Sequence, residues 1–254
     1  MKNRKYIKQL FIALVVLGLC STVLFSCKKN DYFKNPSGVS KAKYDGTIMD
    51  YLRNNHVYFD TLSAIIDYAG MTDIFTNDSI TFFAPPDSTI NLEIENLNYY
   101  LRYSGMQEIT SFKQVSPETW KHFLERYIFK GVKRLEDFPQ IDLDNLLAFP
   151  GQYYRAYDST LMNIGVVYSD LESGGNTIKY GGYRYLMISF IPSEAAPTVG
   201  RSYSEVASSD INPYNGIVHV LSILGFGDYP YSHYFGFSPS EFINSALKDG
   251  IIYN

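Results

Sequence analysis

The chain of 254 residues contains little cysteine and little histidine. Its two cysteines, Cys20 and Cys27, both lie near the N-terminus, so no disulfide is expected to stabilise the remainder of the chain. The four histidines never show the i, i+4 spacing of a helical metal site, and no Cys-x-x-Cys pair occurs. Stability must therefore come from a hydrophobic core, which a chain of this length can bury.

Motifs of common catalytic sites are also missing. The sequence has no Gly-x-Ser-x-Gly elbow and no Gly-x-x-x-x-Gly-Lys phosphate loop. Glu93 and Glu95 would form a pair of acids only on a strand, where residues two apart share a face, so we expect both on a solvated surface. Asp142 and Asp144 match only a fragment of a calcium loop. We predict that the chain is not an enzyme and uses no metal or cofactor.

The N-terminus is basic and then apolar. Four basic residues precede an almost wholly apolar run from Leu10 to Phe25, and charge resumes at Lys28. This order is typical of a secretory signal. The run of about 16 residues is shorter than the roughly 20 that a membrane-spanning helix needs. We therefore predict a signal peptide over residues 1–26, with an uncleaved membrane anchor as the alternative.

The segment Leu24-Phe25-Ser26-Cys27 resembles a lipoprotein box, in which lipid is attached to the cysteine and cleavage occurs before it. Phe25 stands where a small residue is usual. The resemblance implies a bacterial lipoprotein that is anchored through Cys27, and we expect the outer membrane as its location. Residues 27–44 are polar and contain Pro36 and Gly38, which predicts a flexible tether.

Removal of the signal peptide would make the chain more acidic. Lys+Arg would fall from 22 to 18 while Asp+Glu stays at 26, so the formal charge would move from −4 to −8. A protein that binds nucleic acid nonspecifically needs a basic surface. We therefore expect no nucleic-acid partner.

Tyrosine is unusually abundant. The chain has 23 Tyr and 17 Phe but only one Trp. Tyrosine suits half-buried strands, where its ring packs and its hydroxyl stays wet, and it also suits surfaces that bind protein or sugar. The composition leaves both roles open.

Helical patterns come first in the chain and strand patterns come later. Residues 46–76 show helical spacing, and Ser116-Pro117-Glu118 is a strong helix start that we expect to continue along one apolar face to Ile128. Strand-like segments include Leu161 to Tyr168 and Tyr185 to Ile191. This order predicts an α+β fold with a mostly antiparallel sheet.

Three segments resemble a fasciclin domain. They are Thr81-Phe82-Phe83-Ala84-Pro85-Pro86-Asp87-Ser88, Phe123 to Gly131, and Asn215-Gly216-Ile217-Val218-His219-Val220-Leu221. In the second segment Tyr127 stands where the family usually has histidine. The chain therefore looks like a divergent fasciclin lipoprotein of the Bacteroides type. The resemblance covers residues 45–228, with an expansion at about 140–213, and leaves a C-terminal extension at 229–254.

The resemblance implies a fasciclin-like β-sandwich wedge flanked by helices, in a family that serves cell adhesion and is not generally catalytic. It also implies mainly structural roles for the motif residues. For His219 we expect a structural hydrogen bond, with contact to a ligand as the alternative. The motif residues are Thr81, Phe83, Ala84, Pro85, Tyr127, Gly131, Asn215, Gly216 and His219.

Together these features predict a lipid-anchored extracytoplasmic module for binding or adhesion, with an envelope protein or an extracellular polymer as its partner. The alternative is a glycan-binding lipoprotein that captures nutrients. Loops on a rigid scaffold commonly carry recognition. We therefore expect contact with the partner through Tyr180, Tyr183 and Tyr185 in the expansion.

Overall fold

A computed structural model describes residues 43–222 and 233–253, and every structural statement below concerns these ranges. The predicted signal peptide, Cys27, most of the tether and the boundary at residue 228 lie outside them. None of the described helices combines the length and the apolarity that a membrane crossing requires. The helices are α1 (Ile48–Asn54), α2 (His56–Tyr68), α3 (Thr72–Asn77), α4 (Asp87–Tyr103), α5 (Pro117–Glu125) and α6 (Pro239–Asp249).

Nine strands were found in the described ranges, and seven of them form one sheet in the order β2-β1-β9-β8-β7-β4-β3. Strands β5 and β6 form a separate hairpin. The strands are β1 (Ile80–Ala84), β2 (Ile128–Lys130), β3 (Gln152–Arg155), β4 (Leu161–Tyr168), β5 (Leu171–Ser173), β6 (Asn176–Ile178), β7 (Arg184–Phe190), β8 (Ser202–Ile211) and β9 (Gly216–Leu221).

The large sheet is mostly antiparallel, as predicted, and only β1 and β9 pair in parallel. Register shifts in β8 mark bulges, which bend a sheet. The sheet curls so far that its two edge strands meet. The ring of Phe129 in β2 lies 6.4 Å from that of Tyr154 in β3. A curled sheet with flanking helices confirms the predicted α+β wedge.

Helix α5 shows how local sequence sets an element. The Ser116 side chain accepts a hydrogen bond from the Thr119 amide, and Pro117 occupies the first turn, as the sequence predicts. The predicted end of this helix is wrong. The helix stops at Glu125, and Ile128 begins β2 instead, because its backbone pairs with Phe82 of β1.

The segment after residue 233 packs into the same core. Phe242 of α6 places its ring 5.1 Å from that of Trp120 and 5.2 Å from that of Phe123. The buried Arg126 donates to the Gly236 carbonyl at 2.7 Å and to the Glu241 carboxylate at 2.6 Å. The described part of the predicted C-terminal extension is therefore bound to the domain by apolar and ionic contacts.

Candidate functional site

The first family-like segment ties β1 to the chain that follows β2. The Thr81 hydroxyl donates to the Gly131 carbonyl at 2.8 Å and accepts from the Lys133 amide at 2.9 Å. Phe83 and Ala84 are fully buried, and Pro85 directly follows the last residue of the strand. The Thr81 hydroxyl, the one polar side-chain group among these residues, is therefore engaged in internal hydrogen bonds and is not available to a ligand.

Asn215 and Gly216 join three elements at one point. The Asn215 amide oxygen accepts from the Ile48 amide at the start of α1, and its nitrogen donates to the carbonyls of Phe75 and Asp78. A Cβ on Gly216 would lie 2.0 Å from the Ile80 carbonyl oxygen, so only glycine fits there. This geometry gives the pair a structural role.

His219 is fully buried beside Phe83, with 4.9 Å between the two rings. Its Nδ1 accepts from the Asp210 amide at 3.3 Å, which leaves Nε2 to donate to the Lys133 carbonyl at 3.1 Å. Burial lowers the pKa of His219 to about 4, so the ring is neutral at physiological pH. Both ring nitrogens of His219 are thus bonded to backbone groups.

Tyr127, at the family's histidine position, is enclosed by the C-terminal segment. Its hydroxyl accepts from the Gly236 amide at 2.6 Å and forms a hydrogen bond with His233 Nε2 at 3.1 Å. Burial lowers the pKa of His233 to about 3 and raises that of Tyr127 above its ordinary value. Gly131 has a φ of +82°, a conformation that favours glycine. Tyr127 and His233 therefore belong to the core, whereas Gly131 is exposed.

Glu93 corrects the expectation of a solvated acidic pair. Glu95 is exposed, but Glu93 is fully buried on α4, and neither of its carboxyl oxygens has a hydrogen-bond partner within the described ranges. Burial raises the pKa of Glu93 to about 8, and the Asn96 side chain opposes that rise. The spacing of Ile90, Glu93 and Leu97 along one helix face was the sequence signal for burial.

The fragment of a calcium loop is used for internal hydrogen bonds. The Asp142 carboxylate accepts from the Asp144 amide at 3.0 Å and from the Tyr180 hydroxyl at 2.8 Å. Within residues 43–222 and 233–253, no three His, Cys, Asp or Glu side chains come together in a way that would hold a metal ion.

The three tyrosines chosen for contact differ in their surroundings. Tyr180 donates its hydroxyl to Asp142 and packs its ring 5.3 Å from that of Phe149, so it holds the chain after β6 to the segment before β3. The hydrogen bond to Asp142 is the main reason why the pKa of Tyr180 is raised. Tyr183 and Tyr185 stack on each other at 5.6 Å, and Tyr183 is 65% exposed.

The β5–β6 hairpin carries further exposed apolar side chains. Leu171 and Ile178 pair directly across its two strands, and both are exposed. Ser169, shortly before Leu171, donates its backbone amide to the Tyr183 carbonyl at 3.0 Å. We call Leu171, Ile178, Tyr183 and Tyr185 the hairpin patch.

A groove of about 410 Å³ runs along α4, although no sequence motif indicated a site there. Leu92, Glu95, Asn96 and Tyr99 lie at helical spacing along one wall, and Tyr234 contributes from the C-terminal segment. We call this the α4 groove.

Its two remaining charges are paired, because Arg102 donates to Glu108 at 2.6 Å. The Asn98 side chain, which also lines the groove, is held by two hydrogen bonds to the backbone of Ile109. Glu95 and Tyr99 are the exposed side chains of the helix wall, and no hydrogen bond to another described side chain holds either of them. The groove thus combines aromatic rings with polar groups that face solvent.

Comparisons with known proteins give matches among solved structures. No family profile and no curated protein matches the chain. Among solved structures, the chain is similar to a FAS1 domain pair from the insect cell adhesion molecule fasciclin I, with 16% identity, 73% of this chain covered and a TM-score of 0.40. The match spans 50% of that structure's length.

Proposed function

We propose that the chain is a lipid-anchored extracytoplasmic module for binding or adhesion, and that the hairpin patch contacts a partner protein or a surface polymer. The observation that supports this proposal is the stacked pair Tyr183 and Tyr185, in which the Tyr183 ring is 65% exposed, near the hairpin that exposes Leu171 and Ile178. Large, amphipathic tyrosine side chains carry much of the binding energy at protein interfaces.

Side-chain contacts hold the chain that flanks the hairpin patch. Lys179 forms an ion pair with Asp170 at 2.7 Å, and the Asp170 carboxylate also accepts from the Tyr180 amide at 2.9 Å. Tyr180 in turn bonds to Asp142. A surface ordered in this way loses little conformational entropy on binding, so more of the contact energy appears as affinity.

The proposal includes an anchor at Cys27 and no catalytic role. The lipoprotein-box-like segment supports the anchor, which would hold the module at the outer membrane, near envelope proteins and extracellular polymers. The internal hydrogen bonds of Thr81, Asn215 and His219 support a binding role over catalysis, because they occupy the polar groups of the family-like segments.

The test is a pull-down of the lipidated chain from the envelope of its own cell, with Tyr183→Ser as the variant. Tyr214→Ser is the matched control, since Tyr214 is 69% exposed and lies outside the hairpin patch. We expect Tyr183→Ser to lose the captured partner at an unchanged melting temperature, while Tyr214→Ser keeps it. Equal capture by both variants would contradict the proposed contact surface.

A second candidate function is glycan binding in nutrient capture. The α4 groove favours it, because aromatic rings beside amide and carboxylate groups suit a ligand that has an apolar face and hydroxyls at its edge.

A further inference from the structure

The α4 groove exposes the side chain of Tyr99. Tyr99 is 65% exposed, and its hydroxyl makes no hydrogen bond to another described side chain. Tyr234 lines the groove from a different part of the chain. Two tyrosines from separate parts of the chain thus line the groove, and a tyrosine ring offers a ligand a flat face to stack on.

The charges of the groove argue against an anionic ligand. Arg102 is already paired with Glu108 at 2.6 Å, so the guanidinium is not available to a phosphate or a carboxylate. Glu95, which forms no ion pair with another described residue, adds a negative charge to the same wall. An anionic ligand would therefore meet a net repulsive field.

A cationic or a wholly apolar ligand is also a poor match. A cation would meet Glu95 as its one unpaired carboxylate among the described lining residues, and an exposed carboxylate is strongly screened by water. An apolar ligand would cover Glu95 and Asn96 without giving them hydrogen bonds, which is costly. Leu92 is the one aliphatic side chain among the described lining residues.

We propose that the α4 groove binds a neutral saccharide, with the apolar face of a sugar ring on Tyr99 and its hydroxyls bonded to Asn96 and Glu95. The Asn96 amide both donates and accepts, and the Glu95 carboxylate accepts, which matches the mixed character of sugar hydroxyls. A volume of about 410 Å³ is within the range of ligand sites. This inference deepens the second candidate function and does not depend on the hairpin patch.

The experiment uses isothermal titration calorimetry on the full chain, purified in mild detergent. The probes are the neutral trisaccharides cellotriose, maltotriose, xylotriose and mannotriose, with trigalacturonic acid as the anionic probe and fully deacetylated chitotriose as the cationic one. We expect at least one neutral trisaccharide to bind more tightly than either charged probe.

Two variants then locate the binding site. Tyr99→Ser should weaken the neutral trisaccharide at least about tenfold, which is the usual scale for losing a stacked ring. Tyr103→Ser is the matched control, because Tyr103 is on the same helix, is 85% exposed and does not line the groove; it should change affinity by less than about twofold. Asn96→Ala, which should also weaken binding, serves as a second variant if Tyr99→Ser changes the melting temperature.

Failure to bind any neutral trisaccharide, or an equal loss in Tyr103→Ser, would overturn the inference. Preferential binding of trigalacturonic acid that Tyr99→Ser abolishes would also overturn it, although glycan binding as a function would stand. The outcome at the hairpin patch is measured separately by the Tyr183→Ser pull-down.

Discussion

The buried carboxyl of Glu93 makes a quantitative prediction about stability and pH. Replacing Glu93 with Gln removes the ionisable group and keeps the shape of the side chain. Burial raises the pKa of Glu93 from 4.5 to about 8. Because each pKa unit corresponds to about 1.4 kcal/mol, ionising Glu93 inside the fold costs on the order of 4 to 5 kcal/mol.

The direction of the pH dependence of stability follows from proton binding. Between pH 4.5 and 8 the folded chain keeps a proton on Glu93 that the unfolded chain has released, so wild-type stability falls as pH rises through this window. The Gln variant has no such loss. We expect Glu93→Gln to be more stable than wild type by less than about 1 kcal/mol at pH 5 and by about 3 kcal/mol at pH 7, with no further gain above pH 8.

The assay is urea unfolding at several pH values between 5 and 9, followed by the fluorescence of Trp120, the single tryptophan. The lowered pKa values of His219 and His233 affect both proteins equally and cancel in the difference. Glu95→Gln, an exposed position on the same helix, should shift stability by less than about 0.5 kcal/mol at every pH. A gap between wild type and Glu93→Gln that stays constant or shrinks with rising pH would refute the reasoning.

Three further predictions concern the anchor and the core. Cys27→Ala should release the folded chain from membranes, as fractionation after a salt wash would show; unchanged membrane partitioning would mean a different anchor. Val218→Asp should unfold the domain, because a buried unpaired charge costs several kcal/mol. Lys133→Ala should lower stability by less than about 1 kcal/mol. Equal melting temperatures for Val218→Asp and wild type would contradict the first of these expectations. Arg126→Met should lower the free energy of unfolding in urea by about 3 to 5 kcal/mol, because it leaves the buried Asp158 carboxylate without its cationic partner. Adding Asp158→Asn should restore part of the lost stability. No recovery in the double variant would argue against this ion pair.

Local sequence was sufficient to predict an element where residues within that element determine its structure. The helix start at Ser116 follows from a capping hydroxyl and a proline, and the strand-like segment from Leu161 to Tyr168 coincides with the bounds of β4. Local sequence was not sufficient where pairing with another element determines the structure. Tyr127 and Ile128 continue the helical spacing of α5, yet pairing with β1 draws Ile128 into a strand.

The candidate sites show the same division. The sequence pointed to Tyr180, Tyr183 and Tyr185 as a group, but it had no means to show that Tyr180 would be bound to Asp142 while Tyr183 stays exposed. The α4 groove was not predicted, because Tyr234 reaches the helix only through the tertiary fold. Local patterns indicate helix faces and strands, whereas the partners of each side chain depend on long-range packing.

The most direct test of the proposed binding function is site-specific photo-crosslinking in the living cell. A photoreactive phenylalanine analogue would replace Tyr183 in one strain and Tyr214, the exposed control position, in another. The proposal predicts a discrete, high-molecular-mass adduct from position 183 and none from position 214. The absence of any adduct at 183, or the same adducts from both positions, would contradict the account.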